Sequence, residues 1–347
     1  MLLEKKNLKK IIVSLESRIS EAIKNLNLSK LKIVIIVDKN KKFIGVVNDG
    51  DIRRAFLKGY NVNSPIRYIV NKKPFFVKSI SDLNNLSIRE LNEFVHIPVI
   101  KNNKIHSLYL QNININIIKK NIKDHVVIMA GGYGKRLGAL TKKCPKPLLK
   151  FNNKPLLQHI LEYLKNNNFY NIQISVFYLK KMIKNFISKK NNFSLKIKFL
   201  EESNPMGTIG SIGLIKKISN NFVVLNCDVI SDVNLNELLK SHKKNKSILT
   251  IGVKNFQYKN PYGVIVSKKN KFISFKEKPE VNFTINTGIY IFNKKIIPII
   301  NKFNLKNIED LITLLSDKNY RIHTYPIFEN WHDLGQDKKK LKSYFKS

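Results

Sequence analysis

Apolar positions recur along this chain with two periods, one helical and one of strands, on both sides of residue 120. In the first third, Ile19, Ala22, Ile23 and Leu26 recur at helical spacing and predict a helix over 17–25. Lys32-Ile-Val-Ile-Ile-Val-Asp38 predicts a strand, 38–42 its turn, and Phe43-Ile-Gly-Val-Val47 a returning strand. Asn48-Asp-Gly-Asp51 reads as a turn that doubles as a helix start. Asp51 is the expected cap of a helix over 52–57 that ends at Gly59. The polar segment 112–124 reads as a linker. Beyond it the pattern alternates strand and helix. Strands are expected at 126–130, 172–177, 197–200 and 222–225, with helices at 156–165, 180–189 and 210–216. Further strands around 248–253, 262–266, 272–276 and 286–292 would extend the sheet. The fold expected is α/β, a doubly wound mixed sheet over 120–347, preceded by a smaller α+β unit over 1–119.

Composition narrows the function classes. Of 347 residues, 43% are hydrophobic, which suits large globular cores, and no apolar run approaches the roughly 20 residues a membrane-spanning helix needs. The N-terminus has no apolar h-region or cleavage site, so the expected location is cytoplasmic, with no membrane partner. Cys144 and Cys227 are too few for a disulfide framework, and no Cys or His spacing reads as a zinc site. A net charge of +39 raises nucleic acid as a partner. The lysines are dispersed among Asn and Ile, however, rather than striped between aromatics. Runs such as Lys39–Lys42 and Lys338–Lys340 read as solvated turns, and no specific nucleic-acid partner is expected.

The densest chemistry lies in Met129-Ala-Gly-Gly-Tyr-Gly-Lys-Arg-Leu-Gly-Ala-Leu-Thr-Lys-Lys-Cys-Pro-Lys-Pro-Leu-Leu149. It follows a buried-strand pattern, Val126–Ala130. Gly131, Gly132 and Gly134 let the backbone turn and present N–H groups to an anion. Arg136 can clamp a polyphosphate, and Lys146 adds a second positive charge between two prolines. The spacing is not that of a P-loop, and it is a poor dinucleotide fingerprint.

This string resembles the front end of the nucleoside-diphosphate-sugar pyrophosphorylases, the sugar-1-phosphate nucleotidyltransferases. The resemblance spans about 125–338 and implies Mg²⁺-dependent transfer of a nucleoside monophosphate from a nucleoside triphosphate to a sugar 1-phosphate, with release of pyrophosphate. It implies that Asp228, at the end of strand 222–225, and Asp333, in Asn330-Trp-His-Asp-Leu-Gly335, hold the Mg²⁺. Arg136 and Lys146 would act with them in catalysis. Ala130, Gly131, Gly132 and Gly134 would hold the triphosphate. Gly207 and Thr208, in Glu202-Ser-Asn-Pro-Met-Gly-Thr208, resemble the base-facing and sugar-facing loop, with Thr208 opening a helix. Gly263, the Glu277-Lys278-Pro279 motif and Asn286 of Asn-Thr-Gly288 would meet the sugar and its phosphate. Ala139 stands where relatives often carry Pro, and Lys135 where they often carry Thr or Ser.

The first unit resembles a CBS motif, most clearly in Gly45-Val-Val-Asn-Asp-Gly-Asp-Ile-Arg-Arg-Ala-Phe-Leu-Lys-Gly59. A second, degenerate copy over about 65–112 fits at Ser64–Val70 and His96–Ile100 but lacks a following Asp-Ile-Arg string. Such pairs often bind an adenine nucleotide, and Asp51 is either a ribose acceptor or an ordinary cap. The reading favours packing and homo-oligomer contacts for this unit. The domain arrangement suggests GTP with glucosamine 1-phosphate or mannose 1-phosphate. Uridylyl, thymidylyl and cytidylyl transfer stay open, as does a non-catalytic nucleotide sensor. No appended β-helix or acetyltransferase is expected.

Overall fold

A computed structural model describes residues 2–3, 8–29, 31–84, 86, 94, 96–110 and 122–335. Residues 112–121 of the linker expected over 112–124 and the Lys338–Lys340 run lie outside them. The chain divides into two compact units, Met1–Lys119 and Lys120–Ser347.

Among the described residues, the first unit holds two three-stranded sheets. One joins β1 (Leu2–Leu3) with β5 (His96–Lys101) and β6 (Lys104–Leu110), and the other joins β2 (Ile12–Ser14), β3 (Ile33–Val37) and β4 (Phe43–Asn48). Every side chain of β3 is buried, so its unbroken Ile/Val run serves both faces. Helix α1 runs Ile19–Ser29 rather than 17–25. Ser17 closes a turn on the Ser14 carbonyl instead, Arg18 bridges to Pro65, and the Ile19 N–H donates to the Ser64 carbonyl. Helix α2 runs Asp49–Leu57, and its N-cap is Asn48 rather than Asp51. Asp51 sits at the third helical position, where its carboxylate accepts from the Asn48 N–H while Asn48 Oδ1 accepts from the Asp51 N–H, both at 2.9 Å. This is a capping box.

The second unit is built on a seven-stranded sheet. In chain order its strands are β7 (Val126–Met129), β8 (Asn171–Val176), β9 (Lys196–Glu201) and β10 (Asn221–Asn226), then β12 (Leu249–Lys259), β15 (Glu280–Asn293) and β16 (Ile322–Pro326). A short strand β11 (Val229–Ser231) and a hairpin of β13 (Val264–Lys268) and β14 (Lys271–Lys276) lie between them. The order across the sheet is β9-β8-β7-β10-β15-β12-β16. Only β15 runs against its neighbours. The expected doubly wound mixed sheet is therefore present.

Period-two burial explains the apolar runs. Val126 and Ile128 enter one core with Leu157, Leu161, Ile183 and Leu238, whereas Val127 enters another with Phe222, Ile296 and Leu311. Helices α3 (Leu156–Asn166), α4 (Lys180–Lys189) and α5 (Leu235–Asn245) cover the first face. Helices α6 (Ile296–Phe303) and α7 (Ile308–Asp317) cover the second. Two expectations change. The segment expected as a helix over 210–216 is a short 3-10 turn, Gly210–Leu214. Asn301 crowds it, donating to the Gly213 carbonyl at 3.2 Å, and takes up a carbonyl that a longer helix would have used itself. The strands expected near 262–266 and 272–276 do not extend the main sheet but pair only with each other.

Candidate active site

The carboxyl ends of β7, β8, β9 and β10 open on one edge of the sheet, where open α/β folds place their ligands. The loop after β7 begins there, with the Ala130 N–H donating to the Ser175 carbonyl at 3.1 Å. Gly134 then turns left-handed at φ 68°, a conformation few side chains adopt. Thr141 closes the loop by donating its hydroxyl to the carbonyls of Gly134 and Gly138, at 3.2 and 3.1 Å. Arg136 lies exposed on the 3-10 turn Lys135–Thr141. Lys135 sits over the Tyr133 ring at 5.7 Å, a solvated position.

Asp228 and Asp333, 105 residues apart in sequence, are brought together by pairing. β11 follows Asp228 directly and pairs antiparallel with a last strand β17 (Trp331–Asp333), setting Val229 opposite Asp333. The Leu334 N–H donates to the Asp228 carbonyl at 3.0 Å, and the Gly335 N–H to Asp333 Oδ1 at 2.8 Å. Gly335 marks the point of convergence. A Cβ placed there would lie 2.4 Å from Asp228 Oδ2, 2.8 Å from Lys146 Nζ and 3.0 Å from Asp333 Oδ1. Lys146 donates to Asp228 in a short ion pair, both side chains mostly buried. Burial opposes the charge on Lys146, but Asp228, helped by Cys227 and Asp333, outweighs it and holds the amine's pKa above the ordinary lysine range. Burial, then Asp228, pushes the neighbouring Cys227 thiol up to about 12, so it is an inert bystander.

Two carboxylate oxygens facing one point suit a hard cation such as Mg²⁺, which commonly takes one or two carboxylates and completes its shell with phosphate oxygens and water. Among the described residues no group of three or more His, Cys, Asp or Glu is arranged to hold a metal. The donor set therefore fits an ion shared with a phosphate substrate, rather than a closed structural site.

The remaining sequence candidates fall into separate places. Gly207 is left-handed at φ 72°, and a Cβ there would meet the Lys306 carbonyl oxygen at 2.4 Å. Thr208 does not open a helix of its own: its hydroxyl oxygen accepts from the Ile308 N–H at 2.9 Å, at the start of α7. This pins the 203–208 loop to the second helical layer while leaving the Thr208 hydroxyl proton able to donate. Gly263, Glu277 and Lys278 lie on the extension that β12 through β15 form, with Glu277 and Lys278 exposed and 3.8 Å apart. Asn286 is exposed at the base of that extension, where its amide donates to the Tyr290 hydroxyl at 2.8 Å and its Oδ1 accepts from the Gly288 N–H. A Cβ on Gly288 would be 2.7 Å from Asn226 Nδ2, which places this turn against the end of β10, two residues before Asp228.

Glu202 carries a structural task beyond its place in the 202–208 string. It is buried at the end of β9, accepts from the Ser175 hydroxyl and accepts from the Met206 N–H at 3.0 Å. Its Oε1 would lie 2.4 Å from a Cβ on Gly131. One carboxylate thus braces the glycine loop and the 203–208 loop together. The signal available in the sequence was its place at the carboxyl end of a parallel strand, the same position that singles out Asp228.

The family model for nucleotidyl transferases matches residues 125–346. The chain belongs to the nucleotidyl transferase family. A CBS domain model matches residues 7–58, covering the sheet of β2, β3 and β4 with α1 and α2. The nucleotidyl transferase fold is thus preceded by a CBS-type unit. Among relatives, the chain is 35% identical over 227 residues to a mannose-1-phosphate guanyltransferase of Aspergillus oryzae. It is 34% identical over 223 residues to the catalytic subunit beta of mannose-1-phosphate guanylyltransferase of Drosophila melanogaster. The first match covers 62% of each chain, and the second 62% of this chain and 60% of the other, so the chain spans about three-fifths of the length of these relatives. In structure it is similar to HddC from Yersinia pseudotuberculosis, with a TM-score of 0.50 at 26% identity, over 64% of this chain and 99% of that one. No helix among the described residues is long and apolar enough to cross a membrane.

Proposed function

We propose that this nucleotidyl transferase joins a sugar 1-phosphate to a nucleoside monophosphate taken from a nucleoside triphosphate, releasing pyrophosphate. The observation that carries the reading is the convergence of Lys146, Asp228 and Asp333 on one point, beside a glycine loop at the carboxyl edge of the sheet. An anion-binding loop, a buried ammonium and two carboxylates are what a reaction between two phosphate anions requires.

The nucleophile is an oxygen of the sugar phosphate. It already carries negative charge, so no general base is needed. It forms a bond to the α-phosphorus while the bond from that phosphorus to the bridging oxygen of the β-phosphate breaks, and pyrophosphate leaves with that electron pair. The protein supplies position and charge. Backbone N–H groups over Gly131, Gly132 and Gly134 hold the triphosphate, while that of Ala130 is taken by the Ser175 carbonyl. Arg136, exposed beside them, neutralises the leaving β and γ phosphates. Lys146 is held protonated by Asp228 and offsets charge at the α-phosphate. Glu277 and Asn286 accept and donate to sugar hydroxyls, the Gly263 backbone lies against the ring, and Lys278 meets the sugar phosphate. Gly207 and Thr208 border the base. Asp228 and Asp333 would hold Mg²⁺, which when bound contributes Lewis-acid charge to the phosphate oxygens.

Guanylyl transfer to mannose 1-phosphate is the pairing we favour, because the relatives at 34–35% identity carry that name; glucosamine 1-phosphate is the sugar to compare with it. Pyrophosphate release across a panel of four nucleoside triphosphates and several sugar 1-phosphates tests the reading. GTP with mannose 1-phosphate is expected to give the highest kcat/KM. Release with another pair would move the specificity, and none with any pair would remove the function.

A further inference from the structure

Asn286, assigned to the sugar, lies on β15, and Asp333, assigned to the metal, lies on β17. One side chain joins the two strands. β17 pairs over only three residues with β11, in a two-stranded sheet separate from the seven-stranded one. A pair this short has little stability of its own, so its setting depends on what else holds it. Two contacts fix the approach to it. The Ile327 N–H donates to the Val253 carbonyl at 2.7 Å, and Lys254 Nζ donates to the Glu329 carbonyl at 3.0 Å. Trp331 holds the strand itself. Its Nε1–H donates to the Thr287 carbonyl at 2.9 Å, and its ring packs on the first core.

Thr287 can accept there because β15 bulges. β12 pairs Ile251 with Tyr290 and Val253 with Asn286, so Gly252 alone faces residues 287–289. β10 begins to pair with β15 only at Ile289. The chain turns at Gly288, left-handed at φ 74°. Thr287, 1% exposed, is held from two sides: its hydroxyl donates to the Gly252 carbonyl at 2.7 Å, and its own carbonyl takes the Trp331 proton. The bulge also lies against Val229, whose Cγ2 would be 3.1 Å from a Cβ on Gly288. Val229 is the residue paired with Asp333. Trp331 and Asp333 are two apart on β17, so they project from the same face, with His332 exposed between them. The indole has one donor and no acceptor. A shift of β17 that seats Asp333 on a cation therefore carries Thr287 and its neighbour Asn286 with it, or breaks a hydrogen bond at a half-buried position.

We propose that Trp331 is a positioning residue that couples the sugar side of the site to its metal side. Seating the sugar on Asn286 favours Mg²⁺ at Asp333, and Mg²⁺ favours the sugar by the same factor. The inference rests on the proposed function. Direct contact between a phosphate oxygen and the metal also couples the two ligands, but it does not pass through the indole. A variant of Trp331 therefore separates the two routes.

The test is calorimetry of the full chain with the sugar 1-phosphate that the panel above selects, mannose 1-phosphate on the favoured reading, with and without Mg²⁺. Trp331→Phe keeps an aromatic ring and removes the donor. Its affinity without the metal is expected to stay near the wild-type value. Its gain in affinity on adding Mg²⁺ should be about fivefold smaller than that of the wild type, the low end of coupling between sites. Trp331 is the single tryptophan of the chain, so wild-type emission reports on the same link should the variant fold poorly. That emission should shift with Mg²⁺ alone and with the sugar phosphate alone, and Asp333→Asn should abolish the first shift and keep the second. An equal gain in variant and wild type, or emission that answers to only one of the two ligands, overturns the coupling and leaves the proposed function standing. Failure of every sugar phosphate to bind, with or without metal, removes the proposed function and the coupling with it.

Discussion

Lys146 and Asp228 depend on each other, and substitutions there separate chemistry from folding. Asp228→Asn keeps the shape while removing an anionic donor, so turnover should fall at least about 10²-fold with the fold retained; initial rates across a Mg²⁺ titration check this. Asp333→Asn should behave alike. Asp228→Ala goes further, because it leaves the mostly buried Lys146 ammonium without its partner. Its thermal transition should therefore be lower than that of the double variant D228A/K146M, and an equal or higher transition would contradict the pairing. Lys146→Ala is expected to lower kcat on the order of 10²-fold, whereas Lys278→Ala should mainly raise KM for the sugar 1-phosphate. Gly131→Ala is a second probe. Its new methyl would press on Glu202, which also holds the Met206 N–H. Nucleotide affinity measured by calorimetry should drop, and an unchanged affinity would mean the loop does not carry the triphosphate.

Elements show what patterning could and could not convey. The β7 run, the strands at 172, 197 and 222 and helices α3 and α4 were legible because each buries a face in step with its own period. The glycine loop and both aspartates were legible as strings. Their meeting was not, because it depends on the three-residue pairing of β11 with β17, too short to leave a pattern. Glu202 went without a role because a lone carboxylate after a strand reads as a turn residue until Ser175 and Gly131 close around it. The helix start was read three residues late: Asn48 and Asp51 both suit a cap, and only backbone geometry separates them. His242 in α5 gives an element-scale prediction. It is fully buried, bonded to the Thr250 hydroxyl at 2.8 Å and to Asn221 Oδ1 at 3.2 Å. Burial, with His323 and Lys243, lowers its pKa from 6.5 to about 4. The fold thus prefers the neutral ring. That preference is present in full above pH 6.5 and is lost as pH falls towards 4, an effect of up to about 3 kcal/mol. Stability measured by urea unfolding between pH 7 and 4 should fall less steeply for His242→Gln than for the wild type.

At the scale of the molecule, the chain divides into two units. In the CBS-type unit both Asp51 oxygens are engaged, one by the Asn48 N–H and one by Arg54. Asp51→Ala should therefore cost helix stability, about 1 kcal/mol, without changing nucleotide binding. The second unit holds the proposed site. The central claim is that it transfers a nucleoside monophosphate to a sugar 1-phosphate. The most direct measurement is pyrophosphate release by the full chain with GTP, mannose 1-phosphate and Mg²⁺, run beside Asp228→Asn. The expected result is release that needs both substrates and the metal and is nearly lost in the variant. Release undiminished in Asp228→Asn, or absent with every nucleotide and sugar phosphate tried, would contradict it.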